Sequence, residues 1–302
     1  VTDFAGRFVK EEYYSEEERA DKDFRPTDVL IAIKLKEDNK AFDVKKYEHT
    51  YPHCWRTDKP VLYYPLDSWF IKTTAVKEKL VEFNKTINLK PEATGSGRFG
   101  NWLENLVDWN LSRSRYWGTP LPIWRTEDEN EEICIGSMIE LKQYLEASLQ
   151  SDVLTLDEKS VNKEYLDKFG SEKLDLHRPY VDHIVLVSES GQKMFRELDL
   201  IDVWFDSGAM PYAQWGLDYD KLAAGDPLPF KSEYNSAFPA DFIAEGVDQT
   251  RGWFFTLHAI STMVRGSVAF KNVVSNGLVL DKNGNKMSKR LGNGVDPFAT
   301  ID

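Results

Sequence analysis

Lys286, Ser288 and Lys289 fall close together in Asn283-Gly284-Asn285-Lys286-Met287-Ser288-Lys289-Arg290-Leu291-Gly292-Asn293. Two ammonium groups and a hydroxyl on one loop can close on a triphosphate and neutralise the charge that develops as pyrophosphate leaves. Asp281 to Asn285 has turn chemistry, with Asn-Gly suited to a tight hairpin, so both lysines are expected on a mobile loop. Taken alone, such a loop reads as a solvated basic hairpin. A second stretch, Glu245-Gly246-Val247-Asp248-Gln249-Thr250-Arg251-Gly252-Trp253, follows the apolar run Ala240–Ala244. A helix beginning near Gly246 would align Glu245, Gln249 and Trp253 on one face. There a carboxylate can hold ribose hydroxyls, and a glycine lets backbone approach a nucleotide. The bland alternative is a helix N-terminus with Asp248 as a first-turn acid and Trp253 in the core.

Three further stretches carry weaker signals. Asp202-Val203-Trp204-Phe205-Asp206-Ser207-Gly208 reads as a buried strand ending in a turn, with Trp204 in the core. In Trp109 to Pro120, Arg113 and Arg115 lie beside aromatics and could meet a phosphate backbone, or equally cap carbonyls around a core Trp117. Gly95-Ser-Gly97-Arg-Phe-Gly100 satisfies G-x-G-x-x-G but follows Lys90-Pro91-Glu92 rather than an apolar strand, so a loop is expected.

These side chains need elements to hold them. Ala240–Ala244, a helix from Gly246 to about Val264 and Phe270–Ser275 make a βαβ unit, whose parallel strands require a crossover. Ligands in such a sheet gather at the carboxyl ends of the strands, which selects Glu245, Gly246, Asp248 and Gln249. Upstream, a strand is expected over Asp28–Lys36, a helix over Val76–Ile87, and two surface helices around Ile139–Ser148 and Val161–Phe169 in an acidic insertion.

The 302 residues carry 41% apolar side chains, enough to fill a core and to exclude a disordered chain. A net charge of −12 and a pI near 5.0 leave only a local basic patch for any nucleic acid. No apolar run approaches the roughly 20 residues of a membrane helix. Cys54 and Cys134 are too few and too far apart for a disulfide framework, so a reducing cytoplasm is expected, with Cys134 a small core residue. Val1, with no initiator Met, and Asp302, just past a loop-like stretch, read as cut points.

The Lys286 to Arg290 string resembles the KMSKS loop of class I aminoacyl-tRNA synthetases, with Arg290 where serine is commoner. The Glu245–Trp253 stretch resembles the E-G-x-D-Q-x-R-G-W-F segment of isoleucyl and valyl enzymes, and Asp202–Gly208 their D-V-W-F-D-S-G segment. Ser112-Arg-Ser-Arg-Tyr-Trp-Gly-Thr-Pro120 matches the S-R-x-R-x-W-G-x-P element, without a sharp role. Tyr51-Pro-His53-Cys54-Trp-Arg-Thr57 is similar to the isoleucyl branch. Thr57 replaces the second cysteine of a C-x-x-C pair, and zinc wants four N or S ligands, so no metal is expected.

The resemblance implies an α/β fold: the second half of a Rossmann-type parallel-sheet catalytic domain, an inserted connective subdomain and a β-rich remnant of an editing domain. Its expected segments are 1–50 (editing remnant, with Phe4–Val9 as its trace), 51–124 (return into the catalytic domain), 125–198 (insertion) and 199–302 (second catalytic half). It further implies catalytic roles for Lys286 and Lys289. Glu245, Gly246, Asp248, Lys286, Met287, Ser288 and Lys289 would bind ATP or adenylate, and Trp204, Gln249 and Trp253 isoleucine. An indole-lined slot distinguishes one methylene by only about 1–3 kcal/mol, a general magnitude for which isoleucine against valine in this family is itself the standard case. The implied partners are ATP with Mg²⁺, isoleucine and tRNA(Ile), for a monomer off the membrane. No H-I-G-H-like string or threonine-rich editing pocket occurs, and the five histidines (His49, His53, His177, His183, His258) sit in other contexts, so these residues alone are expected to be inactive. A valyl- or leucyl-type relative and a stand-alone tRNA-binding module are the alternatives.

Overall fold

The computed structural model describes residues 27–45, 47–48, 50–54, 59, 61, 65–171, 173–214, 237–287 and 292–301. Two compact units, Val1–Asp67 and Ser68–Asp302, divide the chain. In the first, Thr27–Glu37 forms helix α1. The strand expected over Asp28–Lys36 is therefore a helix. Its apolar residues run together instead of alternating, Leu, Ala and Lys favour helix, and Lys34 and Lys36 fall in the last turn, where they complement the dipole. Among the described residues of this unit α1 is the one regular element, so they do not show the β-rich character expected of 1–50. The Phe4–Val9 trace and Thr57 lie outside the described residues.

The second unit begins with β1 (Phe70–Ile71), a 3-10 turn (Thr73–Val76) and α2 (Lys77–Asn84), where a helix was expected. Next come β2 (Asn88–Lys90), a π-helix (Ala93–Phe99) and α3 (Gly100–Glu104). The G-x-G-x-x-G stretch is thus helical and does follow a strand. That strand is invisible to periodicity because it has three residues and one buried side chain, Leu89. Strands β3 (Trp109–Asn110) and β4 (Ser112–Arg113) lead into the insertion: β5 (Ile123–Thr126), β6 (Glu132–Cys134), α4 (Met138–Leu149), α5 (Leu156–Lys168), β7 (Leu186–Val187) and β8 (Lys193–Arg196). Its antiparallel sheet runs β6-β5-β8-β7. Cys134 is exposed rather than core, since alternation along β6 turns Ile133 and Ile135 inward instead.

The chain returns through β9 (Leu200–Ile201), which pairs antiparallel with β4, and continues as α6 (Val203–Gly208) and α7 (Met210–Ala213). The Asp202–Gly208 stretch, expected to be a buried strand ending in a turn, is helix α6 instead, because Asp202 is an N-cap whose carboxylate accepts the Trp204 N–H at 3.3 Å. After it come β10 (Ala240–Gly246), a 3-10 turn (Val247–Arg251), α8 (Trp253–Arg265), β11 (Phe270–Asn276) and α9 (Pro297–Ile301). Strands β10, β11 and β2 form one parallel sheet in that order, with Gly246 level with Asn276. The βαβ unit is as expected. One face of the sheet, with Leu89, Ile243 and Val273, packs with Phe254, Phe255 and Leu257 of α8 in one core. A separate core fills the insertion. Among the described residues no helix is long and apolar enough to cross a membrane.

Candidate adenylate and amino-acid site

The carboxyl ends of β10 and β11 lie side by side, with Glu245 opposite Ser275 and Gly246 opposite Asn276. A Cβ on Gly246 would stand 2.6 Å from Asp248 Oδ1, so a side chain there would have to push the Asp248 carboxylate aside, which glycine avoids. Glu245 and Asp248 stand at this edge of the sheet. The helix expected from Gly246 begins later. Val247–Arg251 is a 3-10 turn, and α8 starts at Trp253 after a break at Gly252. Glu245, Gln249 and Trp253 therefore do not form one helical stripe.

The turn nevertheless draws the expected apolar and amide groups together. Gln249 folds back so that Oε1 accepts the Trp253 N–H at 2.9 Å, satisfying a donor that α8 leaves without an intrahelical partner. Gly252 is buried beneath this amide: a Cβ there would meet Gln249 Oε1 at 2.6 Å and Trp204 Cη2 at 3.3 Å. Trp253 Nε1 donates to the Ser207 carbonyl at 3.1 Å. Trp204, Gln249 and Trp253 thus meet where α6 and α8 adjoin. Trp204 is 42% exposed, which a core tryptophan would not be. Burial raises the Asp206 carboxyl above its ordinary range, and the Thr119 hydroxyl, 3.4 Å away, partly offsets this.

The third group leaves the same sheet edge. Leu280 and Lys286 bridge across the expected hairpin, with the Asp281 N–H donating to Asn285 O at 2.8 Å and Gly284 at φ +80° in the turn. The hairpin opens four residues beyond Asn276, a reach of at most about 14 Å from the strand end. Lys286 is exposed and Met287 half-buried; Ser288 and Lys289 lie outside the described residues. Asp281 organises the base of this loop. It accepts the N–H groups of Asn283 (2.9 Å) and Asn285 (2.8 Å) on Oδ1 and the Asn293 amide (2.9 Å) on Oδ2. The Asn293 amide, then the Asn285 N–H, hold its carboxyl below the usual range.

Asp281 with Asn293, and Asp202 with Arg113, are the pairs that spacing alone does not single out. Asp202 carries a readable signal, an acid just before Val-Trp-Phe, which is N-cap chemistry. Among the described residues no group of three or more His, Cys, Asp or Glu is placed to hold a metal ion. His258, fully buried on α8, donates Nε2–H to the Leu80 carbonyl at 2.9 Å, and burial pushes its pKa down to about 4.

The chain is also similar to known proteins. The family described as tRNA synthetases class I (I, L, M and V) matches residues 12–302. Isoleucine–tRNA ligase of Cytophaga hutchinsonii is 65% identical over all of this chain and 26% of its own length. That of Bacteroides fragilis is 60% identical over 99% of this chain and 26% of its own. Among solved structures, Mycobacterium tuberculosis methionyl-tRNA synthetase bound by methionyl-adenylate has TM-score 0.42 and 16% identity, over 83% of this chain and 34% of that one. The chain spans about a quarter of the length of the curated relatives it matches. It belongs to the class I tRNA synthetases of the isoleucine, leucine, methionine and valine group.

Proposed function

We propose that this chain supplies the amino-acid slot and part of the adenylate site of an isoleucine–tRNA ligase that activates isoleucine with ATP and passes the acyl group to tRNA(Ile). The observation that carries the reading is the meeting of Trp204, Gln249 and Trp253 where α6 and α8 adjoin, just past the end of β10, in a chain whose Lys286 hairpin follows β11 from the same end of the sheet.

In this reading the two indoles bound an apolar slot for the branched side chain, and Gln249 fixes its floor through the Trp253 N–H. Glu245, Gly246 and Asp248 face the nucleotide. A carboxylate oxygen of isoleucine attacks the α-phosphorus of ATP in line, the bond to pyrophosphate breaks, and the negative charge moves onto the departing pyrophosphate. Lys286, with Met287, Ser288 and Lys289 on the same loop, closes over that charge. Its ammonium then acts mainly on the transition state. Magnesium enters with the triphosphate as part of the substrate and neutralises its oxygens. The 60–65% identity to isoleucine–tRNA ligases supports isoleucine over valine or leucine.

The test is isoleucine-dependent ATP–pyrophosphate exchange by the full-length ligase carrying this chain. Lys286→Ala should lower kcat about 100-fold while leaving KM for isoleucine near its starting value. An unchanged kcat would remove the loop from the chemistry. Exchange that runs best with valine or leucine would overturn the choice of amino acid.

A further inference from the structure

We propose that Arg113 and Trp109 are positioning residues for the amino-acid slot, acting on Trp204 through the buried carboxylate of Asp202. The proposal rests on the reading of Trp204 as a wall of that slot. It gives a role to the Trp109–Arg113 stretch, to which the proposed adenylation step assigns none.

Asp202 is only 4% exposed. A carboxylate so buried is tolerable only if its lone pairs are filled. Three donors fill them: the Trp204 backbone N–H on Oδ1 at 3.3 Å, and Trp109 Nε1 at 3.2 Å with Arg113 Nη2 at 2.7 Å, both on Oδ2. The fold brings these groups together from distant parts of the chain. Ser112 and Arg113 pair with Ile201 and Leu200, and the Asp202 N–H donates to the Leu111 carbonyl at 2.8 Å. Arg113 is itself held, since Nη1 donates to the carbonyls of Asn110 (2.9 Å) and Ser112 (2.8 Å).

One oxygen of Asp202 thus caps α6 and the other is gripped by one guanidinium nitrogen of Arg113 and the Trp109 indole. The first turn of α6, which carries Trp204, inherits its placement from that grip. The Trp109 ring reinforces it from the side, 6.1 Å from Phe205 of α6 and 6.0 Å from Phe255 of α8. With Arg113 removed, the cap would keep its acceptor but lose its charged partner, and α6 could shift relative to Gly252 and Gln249. A slot wall displaced by a fraction of an ångström weakens isoleucine binding while leaving the nucleotide contacts on β10 and the lysine hairpin in place. The signature is therefore a KM effect confined to the amino acid.

The experiment is a double-mutant cycle in the full-length ligase, read by pyrophosphate exchange with isoleucine and ATP varied separately. Arg113→Ala should raise KM for isoleucine about tenfold, with KM for ATP unmoved and kcat changed by less than about threefold. Arg113→Lys should restore most of the loss, because a point charge still reaches Asp202. Arg113→Ala combined with Trp204→Ala should be no worse than Trp204→Ala alone, because both act on one wall. Independent, multiplying effects would overturn the proposal, as would a wild-type KM for isoleucine in Arg113→Ala. Should Arg113→Ala fail to fold, Trp109→Phe carries the test. It keeps the ring and deletes only the N–H to Asp202, and an isoleucine KM unchanged by it would overturn the proposal. Trp204→Ala separates the two levels. If it leaves KM for isoleucine untouched, the slot reading itself fails and takes the positioning role with it. If it raises KM while neither Arg113→Ala nor Trp109→Phe does, the slot stands and only the positioning role falls.

Discussion

The insertion and the parallel sheet solve the burial problem in opposite ways. The insertion closes on itself. Trp124, Leu145, Ile184, Leu186 and Met194 are almost wholly buried, and several of the polar groups around them are paired within the same segment. Trp124 Nε1 donates to Ile184 O at 3.0 Å, Asn162 Nδ2 to Val185 O at 2.7 Å, and the Val187 N–H to Ser148 Oγ at 3.0 Å. Arg196, with no exposed side-chain surface, meets Asp182, which Arg178 also holds at 3.1 Å. Among the described residues, the parallel sheet is covered on one side only. Phe242 is 58% and Val274 40% exposed, and Lys90 beside them is exposed too. Parallel sheets normally bury both faces. Among the described residues the insertion therefore carries a core of its own, whereas the site-bearing sheet packs only on its α8 face.

The contrast is broken most directly through the cores. Phe254, fully buried and 6.2 Å from Phe270, anchors α8 to β11. Phe254→Ala should cost about 3–5 kcal/mol in a urea titration, and Leu145→Ala in the insertion about 2–5 kcal/mol. The two core clusters share no residue, so the double variant should be additive to within about 0.5 kcal/mol. A large coupling between them would show that the insertion is not self-contained.

How much of this was legible depends on where the determining contact lies. The βαβ unit and the Asn-Gly hairpin are local patterns, and both stand where the sequence places them. The two insertion helices are likewise local, with Ser137 and Thr155 as N-caps. What the sequence hid was tertiary. Strand β2 exists because β11 lies beside it, and the Asp202 cap of the Trp204 helix is met by Arg113, 89 residues away, a pairing that local spacing does not show. Trp204, Gln249 and Trp253 do come together, but not by the geometry expected of them. A single helical face was expected where a 3-10 turn, a glycine break and a folded-back glutamine converge.

A pH experiment sharpens the comparison on the sheet side. His258 is held neutral because burial depresses its pKa from 6.5 to about 4, while the unfolded chain keeps the ordinary value. Below pH 6.5 the unfolded state binds a proton that the folded state refuses, so stability is intact above that pH and is lost as pH falls toward 4. The loss across this window should reach about 3 kcal/mol. His258→Gln, whose amide can still donate to Leu80 O, should flatten that part of the curve. An unaltered pH dependence in the variant would mean that the histidine is not the titrating group.

A smaller effect tests the insertion alone. Thr155 caps α5 in a reciprocal box: its hydroxyl oxygen accepts the Glu158 N–H at 3.2 Å, while Glu158 accepts the Thr155 N–H at 2.7 Å. Glu158 also takes Lys193 at 2.7 Å. Thr155→Ala should destabilise by about 1 kcal/mol, visible as a lower urea midpoint with an unchanged slope. Isoleucine KM in the full-length ligase should not move, since the cap belongs to the closed unit.

The smallest expected change is the most informative about the open face. Phe242 and Ala244 on β10 lie in register with Asn272 and Val274 on β11, so among the described residues the exposed apolar side chains of this face lie close together beside the candidate nucleotide edge. An exposed phenylalanine contributes little to folding, because its ring is already largely in water. Phe242→Ser should therefore shift the unfolding free energy of this chain by no more than about 0.5 kcal/mol. The same change should raise solubility, since this is the kind of apolar surface through which copies associate. A loss of several kcal/mol would mean that this side of the sheet is packed in solution after all, and the contrast between a finished insertion and a half-covered sheet would disappear.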